Sequence, residues 1–510
     1  MGRLSFVACT VVVAGCAQIL GLDNTSGPGM QVTPDAPPGT VNLHVVRRSI
    51  GATVVDNPAD LTGLPMARWL VDDGAGGYTS VAATLLGTDT WEGAIPTGTP
   101  AIEFTMGSDY PDEYRRMVAI PQRDIKYLYG IDEHPDPQPI PSPAESFTAT
   151  MSLTSAYATG DSFYIEAMGG WGYHGFTGAE LPAPDMGAVT VSAGETYGPY
   201  NGTTGAGFVA WSGRPLNAIT MADTLVGLHY RGNQLFEAGE FPAFAEPGAP
   251  ATITTSMNAV TTAPLAVTVH PTAVTTRLGA TRPAGATVSL SWAVVAAPGY
   301  QTANGIGPTL NSGTPAAGSD VAITAPYGNP FASRNWPAMF EWVSSNARSV
   351  MITGGGTAYS AISGGLQDFS MVSSGLDLAT PAPLPITISI NGTALVTDNM
   401  TIALDPTKTV TLALDQDTSD PVTIYQFNVY NMVLDPMTNA WTTHIVYVVS
   451  SATKSIAIPS DVFVAGKTYM VRGHCIVNGY PGLPQGDFTQ RQLPMSLGYL
   501  DGGIFSVTAQ

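Results

Sequence analysis

Charge is scarce in this chain. Only 11% of its 510 residues are Asp, Glu, Lys or Arg, under half the share of an ordinary soluble domain. Lysine occurs at four positions, Lys126, Lys408, Lys454 and Lys467. Exposed helix faces draw on Lys, Glu, Arg and Gln, so an architecture of long solvent-facing helices is excluded. The charges present are mostly acidic, for a net charge of −20. That balance provides no basic footprint for nucleic acid or an anionic surface. Cysteine is also rare, at Cys9, Cys16 and Cys475, so no disulfide framework can be assembled. Catalytic and cofactor motifs are missing too. There is no H-E-x-x-H, no G-x-S-x-G, no C-x-x-C and no G-x-G-x-x-G in a βαβ setting. The glycines Gly354, Gly355 and Gly356 precede no Lys-Ser/Thr pair and so make no phosphate loop.

The chain is rich in apolar residues and in turn formers. Hydrophobic residues make up 44% of it, with 56 Gly and 41 Pro, enough for real cores divided by many turns. Period-two runs recur: VNLHVV from Val41, AIEFTM from Ala101, ATVSLSWAV from Ala286 and TVTLAL from Thr409. Alternation of this kind, bounded by Gly, Asn, Asp and Pro, predicts β-strands. The expected fold class is all-β, as several tandem antiparallel β-sandwich modules. A short helix is expected only near residues 336–345. Three proline-rich breaks, at 134–143, 241–250 and 379–385, suggest boundaries. The expected division is a signal at 1–15, a tether at 16–40, a sandwich at 41–133 and a linker at 134–145. Two β-rich modules follow at 146–245 and 246–380, and a last sandwich at 386–510.

Residues 1–15 read MGRLSFVACTVVVAG, and residues 4–14 form one apolar run. A bilayer-spanning helix needs about 20 such residues, so this run has instead the length of a signal-peptide core. It ends Val13-Ala14-Gly15-Cys16. That sequence resembles the lipobox of bacterial lipoproteins, in which the chain is cut before a cysteine that carries the lipid. The resemblance implies lipidation of Cys16, anchorage to the outer membrane because Ala17 rather than Asp follows, and a mature charge of −21 once Arg3 is removed. Residues 17–39 are rich in Asp, Gly, Pro, Ser and Thr and read as a flexible tether. The segment CAQILGLDNTSG also resembles the start of myxobacterial lipoproteins.

The last module resembles fibronectin type III, an Ig-like sandwich. Residues 409–414 match its strand B, 423–430 its strand C, and KSIAIPSDVFVAGKTYMVRGHC its strands E and F, with Tyr469 at the tyrosine corner. It departs from that family in lacking the usual Trp and in the insertion at 481–501. The first module, through GLPMARWLVDD and WEGAIPTGTPAIEFTM, resembles prealbumin-like carboxypeptidase-regulatory domains more distantly.

Few residues suggest chemistry. Cys475 beside His474 is the obvious nucleophile pair, but neighbours in a strand face opposite ways. Cys475 shares the face of Tyr469 and Val471 and is expected to be buried. Asp415, Asp417 and Asp420 present oxygens in a spacing suited to Ca²⁺, against which stands a solvated loop. Asp132, Glu133, His134 and Asp136 could ligate a cation but fall at a proline-rich hinge. In GGWGYHGF, Trp171, Tyr173 and Phe176 could stack on a sugar or a partner, or pack beneath a glycine-rich bend. The expected function is a non-catalytic surface lipoprotein whose sandwiches bind or space. The alternative is a carbohydrate-binding or carbohydrate-processing lipoprotein. Trp171, Trp211, Trp292, Trp336, Trp342 and Trp441 would supply its aromatics, and an exposed aromatic row would distinguish it.

Overall fold

The computed structural model describes residues 39–50, 54–73, 78–95, 101–106, 114–132, 147–155, 161–167, 173–177, 188–192, 225–242, 251–280, 287–297, 308–315, 320–334, 336–373, 375–378, 382–489 and 493–510. The fold is all-β, with multiple antiparallel sheets packed as sandwiches.

The C-terminal sandwich shows how the alternation works. One sheet holds Thr393–Ala394, Pro385–Ile390, Val410–Gln416 and Ser455–Ile458 in that order. The other holds Ala440–Ser451, Ile424–Asp435 and Thr468–Asn478 side by side. Thr468–Asn478 then pairs with both Met495–Asp501 and Phe505–Ala509. Inward residues of the two sheets, among them Ile388, Leu412, Leu414, Phe427, Val429, Tyr469, Val471 and Cys475, form one core. Tyr469 Oη accepts the Val464 N–H at 2.8 Å, tying the chain down just before its strand begins.

The N-terminal strands do not stand apart from this sandwich. Tyr78–Ala82, Arg68–Asp72, Ala101–Met106 and Tyr114–Ala119 make an antiparallel run. Tyr114–Ala119 then pairs in parallel with Ala440–Ser451, from Arg115 opposite Tyr447 to Ala119 opposite Ser451. Leu70, Ala101, Met117 and Ala119 belong to the same core as Phe427 and Tyr469. The other face of this run packs on the sheet around Thr40–Ile50, where Trp69 is fully buried and lies flat on Gly93. A Cβ at Gly93 would enter the indole ring, so only glycine fits there.

The sheet also continues the other way. Met495–Asp501 pairs with Tyr359–Met371, which pairs with Ala338–Val350, and that with Thr287–Ala296. The result is one 19-stranded sheet that draws on strands from both sides of every proline-rich break. Residues 134–143 and 243–250 lie outside the described residues.

The helix expected near 336–345 is instead part of the strand Ala338–Val350. Phe340, Trp342, Ser344 and Asn346 face inward at every second position, so a cluster of apolar residues imitated a helical stripe. Among the described residues the α-helix is Pro271–Ala280. Its buried Val274 and Leu278 are one turn apart, Pro271 occupies its first position, and Asn346 Nδ2 donates to Leu278 O at 2.9 Å. Proline suits that position because its N–H would be unpaired there anyway. Just before the helix, His270 bridges Asp320 (Nδ1, 3.1 Å) and Asp377 (Nε2, 2.6 Å). This fastens the small sheet of Val267–Val269, Val321–Ile323 and Leu376–Asp377.

The parallel seam is held by one carboxylate. Glu103, 4% exposed, receives Arg68 Nε at 2.8 Å, Arg115 Nη1 at 3.3 Å and the Tyr447 hydroxyl at 2.6 Å. Asp461 takes the other edge of Arg115 at 3.0 and 3.1 Å and Arg68 Nη2 at 3.3 Å. Burial first, and then the Glu103 charge, hold the Tyr447 phenol well above its ordinary range. It therefore stays protonated and donates. Glu103→Ala leaves two guanidinium groups and a buried hydroxyl short of their acceptor. The expected cost is about 3–5 kcal/mol, the range for breaking a buried ion pair, read by denaturant unfolding of the full chain. A loss below about 1 kcal/mol would show that the seam does not depend on Glu103.

A second prediction concerns His270, whose pKa is raised first by its hydrogen bond to Asp377 and then by that to Asp320. A histidine raised in the folded state stabilises fully below its unfolded pKa, about 6.5, and loses that contribution as pH climbs through the raised value. Both aspartates are more than half exposed, so screening keeps the increment small. NMR titration of the His270 ring should give a midpoint above about 6.5, lowered by Asp377→Asn. No difference between the two proteins would refute the bridge.

Candidate functional site

The residues that suggested chemistry are placed as follows. Cys475 is fully buried, opposite Tyr425 on the neighbouring strand. Burial first, and then the charge of Asp417, push its thiol up to about 12. His474 lies on the other face, with Nε2 3.4 Å from Asn428 Nδ2 and its ring beside Tyr499. The two side chains do not meet, and the thiol has no base.

Asp415, Asp417 and Asp420 do not converge. Asp417 receives Arg277 Nε at 2.7 Å, Arg277 Nη2 at 3.1 Å and the Leu384 N–H at 2.8 Å. Asp415 faces Lys454 Nζ at 3.6 Å, and Asp420 accepts the Thr418 hydroxyl at 2.9 Å. A guanidinium fork occupies both oxygens of Asp417, the central carboxylate of the run weighed above as a candidate Ca²⁺ site against a solvated loop. Among the described residues no group of three or more His, Cys, Asp or Glu is placed to hold a metal. Asp132 ends the strand Asp124–Asp132; Glu133, His134 and Asp136 lie outside the described residues.

Cys16, Trp171 and Trp211 also lie outside the described residues. Tyr173 and Phe176 sit on the strand Tyr173–Thr177, opposite Glu166 and Phe163. Trp292 and Trp342 are buried partners across two strands, and Trp292 stacks on Phe340. Trp336 and Trp441 are half-buried. Trp441 Nε1 donates to Gly355 O at 2.8 Å, so the triple glycine is a seat for an indole. Gly354, Gly355 and Gly356 all have positive φ. Among the described residues no tryptophan is exposed, and the row an aromatic sugar platform needs is not formed there.

Sequence reasoning missed a buried network around His229. Its Nε2 lies 2.8 Å from Asp161 and its Nδ1 3.1 Å from Glu237. Each ring nitrogen faces a carboxylate. Arg231 also contacts Asp161, at 3.1 Å. The carboxylates sit on opposite sides of the ring and cannot share an ion, and all three side chains are sealed from solvent. The sequence hid it: His229 alternates with the core residues Val226, Leu228 and Tyr230, so the period-two pattern of LVGLHYR reads it as an ordinary outward polar residue.

Also missed was a cleft of about 670 Å³ where the strands of the seam end. Five segments line it. Ile120, Pro121 and Gln122 follow Tyr114–Ala119; Thr423 precedes Ile424–Asp435; and Ala452 follows Ala440–Ser451. Asn478 to Pro484 and the pair Leu493 and Pro494 complete it, and no charged residue takes part. The walls are pinned. Ala452 N donates to Ala119 O at 3.3 Å and Thr423 N to Ile476 O at 2.8 Å. The Asn478 N–H reaches Thr423 Oγ1 at 2.8 Å and Gln122 Nε2 reaches Pro484 O at 3.2 Å. The loop beneath closes on the strand Asp124–Asp132 through Lys126 N to Gly486 O at 3.0 Å and Phe488 N to Lys126 O at 2.8 Å. Gly486 has a φ of +83°, and a Cβ there would strike the Asp124 carbonyl. The arrangement offers apolar contact and few free polar groups.

No protein-family model matches the chain, and no curated protein is similar to it.

The thiol allows a direct check of this strand register. A buried thiol whose pKa is raised is a poor nucleophile. Cys475 is expected to resist iodoacetamide in the native protein near pH 8 and to react fully in denaturant. Cys475→Ala is expected to cost about 1 kcal/mol, as small core truncations do. Rapid native labelling would place Cys475 on the outer face and overturn the register.

Proposed function

We propose that the chain is an exported bacterial lipoprotein, anchored to the outer membrane through lipid on Cys16, whose fused sandwiches act as a non-catalytic binding or spacing surface. The observation that carries this reading is Val13-Ala14-Gly15-Cys16 behind the apolar run at residues 4–14. Two or three acyl chains hold a protein to a bilayer stably, since each buried methylene contributes about 0.8 kcal/mol. No helix of the described residues is long and apolar enough to cross a membrane. Support for a non-catalytic role comes from side chains that are already committed. Cys475 has no base, Asp417 is bound by Arg277, and the side chains of His229, Asp161 and Glu237 close on one another.

Cys16→Ser tests the anchor. The wild-type chain is expected to partition into the detergent phase and the variant into the aqueous phase, with intact-mass analysis finding lipid only on the wild type. Detergent partitioning unchanged by the substitution, with residues 1–15 still attached, would sink the proposal.

A further inference from the structure

The cleft at the end of the seam lies where the described chain begins. Thr40–Ile50 runs parallel to Asp124–Asp132 with Asn42 opposite Asp124. The Asn42 N–H donates to Arg123 O at 2.8 Å, and the Ile95 N–H donates to Gly39 O at 2.6 Å. Arg123 in turn donates to Ile95 O at 2.6 Å. Following that register back two residues brings Thr40 level with Gln122, a wall of the cleft. Residues 17–38 separate Gly39 from Cys16. A segment of that length spans at most about 80 Å when extended, so the chain is long enough for a group on Cys16 to reach the cleft.

The lining determines what chemistry it can hold. Pro121, Pro481, Pro484 and Pro494 have no N–H to donate. Thr423 Oγ1 is taken by Asn478 N and Gln122 Nε2 by Pro484 O, which leaves Gln122 Oε1 as a buried acceptor on the wall. No charge lines the walls. A sugar or a peptide backbone would lose water at many polar groups and regain few partners on walls made mostly of Pro, Leu, Ile and Ala, whereas an alkyl chain has no polar group to desolvate. The volume, about 670 Å³, falls within the range of ligand pockets. We infer that this cleft is a lipid subsite that holds one acyl chain of the lipid on Cys16. The inference rests on the lipoprotein reading above. It makes the cleft a resting place for a chain that would otherwise lie exposed whenever the protein is away from a bilayer.

The test uses the full chain and the fluorescent fatty acid cis-parinaric acid. Unlipidated protein carrying Cys16→Ser is expected to bind one equivalent. Ala452→Trp, which fills the cleft from an exposed position, should weaken binding at least tenfold with an unchanged circular dichroism spectrum. Leu483→Asn should weaken it as well, a second check should the tryptophan disturb the wall. Lipidated wild type, with its cleft occupied, should take up at least tenfold less probe. The inference is overturned if the Cys16→Ser protein binds no probe, if neither cleft substitution weakens binding, or if lipidated and unlipidated proteins bind alike. Absence of lipid on wild-type Cys16 by intact mass is a different failure: it overturns the lipoprotein reading and removes the occupant, whatever the probe does.

Discussion

A strand at the edge of a sheet leaves a row of N–H and C=O groups that water or another strand must take. At Ala440–Ser451 that edge is taken by Tyr114–Ala119, from a part of the chain more than 300 residues earlier. The rest of the described structure depends on this parallel pairing. It merges an N-terminal sheet with the C-terminal sandwich, puts Leu70 and Met117 into the core of Phe427 and Tyr469, and brings Glu103 under Tyr447. Parallel pairing gives no hairpin to set its register. The register is set by side chains instead: one buried carboxylate, two arginines and a phenol converge at a single point along the seam.

Many of the few charges sit in pairs between strands. Among the described residues several arginines pin carboxylates. Arg48 holds Asp56, Arg277 holds Asp417, Arg348 holds Asp398 and Arg472 holds Asp501. Several of these reach both carboxylate oxygens, which the rigid guanidinium fork does and a lysine ammonium does not. Arginine in place of lysine is thus a consequence of using charge as a strand-to-strand pin. Thr, Ser, Asn and Gly then cover the surface, and large apolar sheets can extend sideways without like-charge repulsion between neighbouring strands.

Strand identity and facing were legible because alternation is a local property. VNLHVV, TVTLAL and TIYQFNVY all lie in or across strands, and Tyr469, Val471 and Cys475 all point inward as their spacing requires. What was illegible depends on distance along the chain. The partner of Asp417 is Arg277, 140 residues away, so an acidic loop read in isolation resembles a cation site. The helix Pro271–Ala280 was hidden because PTAVTTRLGA is full of β-branched residues, and only the buried face of Val274 and Leu278 against Asn346 sustains it. The strand Ala338–Val350 was mistaken for a helix because Met339, Phe340, Trp342 and Val343 satisfy both periods over so short a run. The His229 network was equally invisible, since a histidine between two acids is recognised only when three strands are laid side by side.

The cleft follows from the same seam. When strands end together, the sheet end exposes apolar side chains and unfinished ladder groups unless something covers them. Here the ends are closed by residues that cannot extend a ladder: Pro121 after one strand, Pro481 and Pro484 after another, and Pro494 before a third. Proline has no donor to offer a neighbouring strand, so it blocks edge-to-edge addition. It also leaves the floor apolar and its fixed φ leaves the walls stiff. Protection against aggregation and a preformed apolar hollow are therefore one device. The parallel course of Thr40–Ile50 beside Asp124–Asp132 places the first described residues at that same end. A segment leading to a lipidated cysteine would thus leave the fold beside an uncharged hollow that the seam creates.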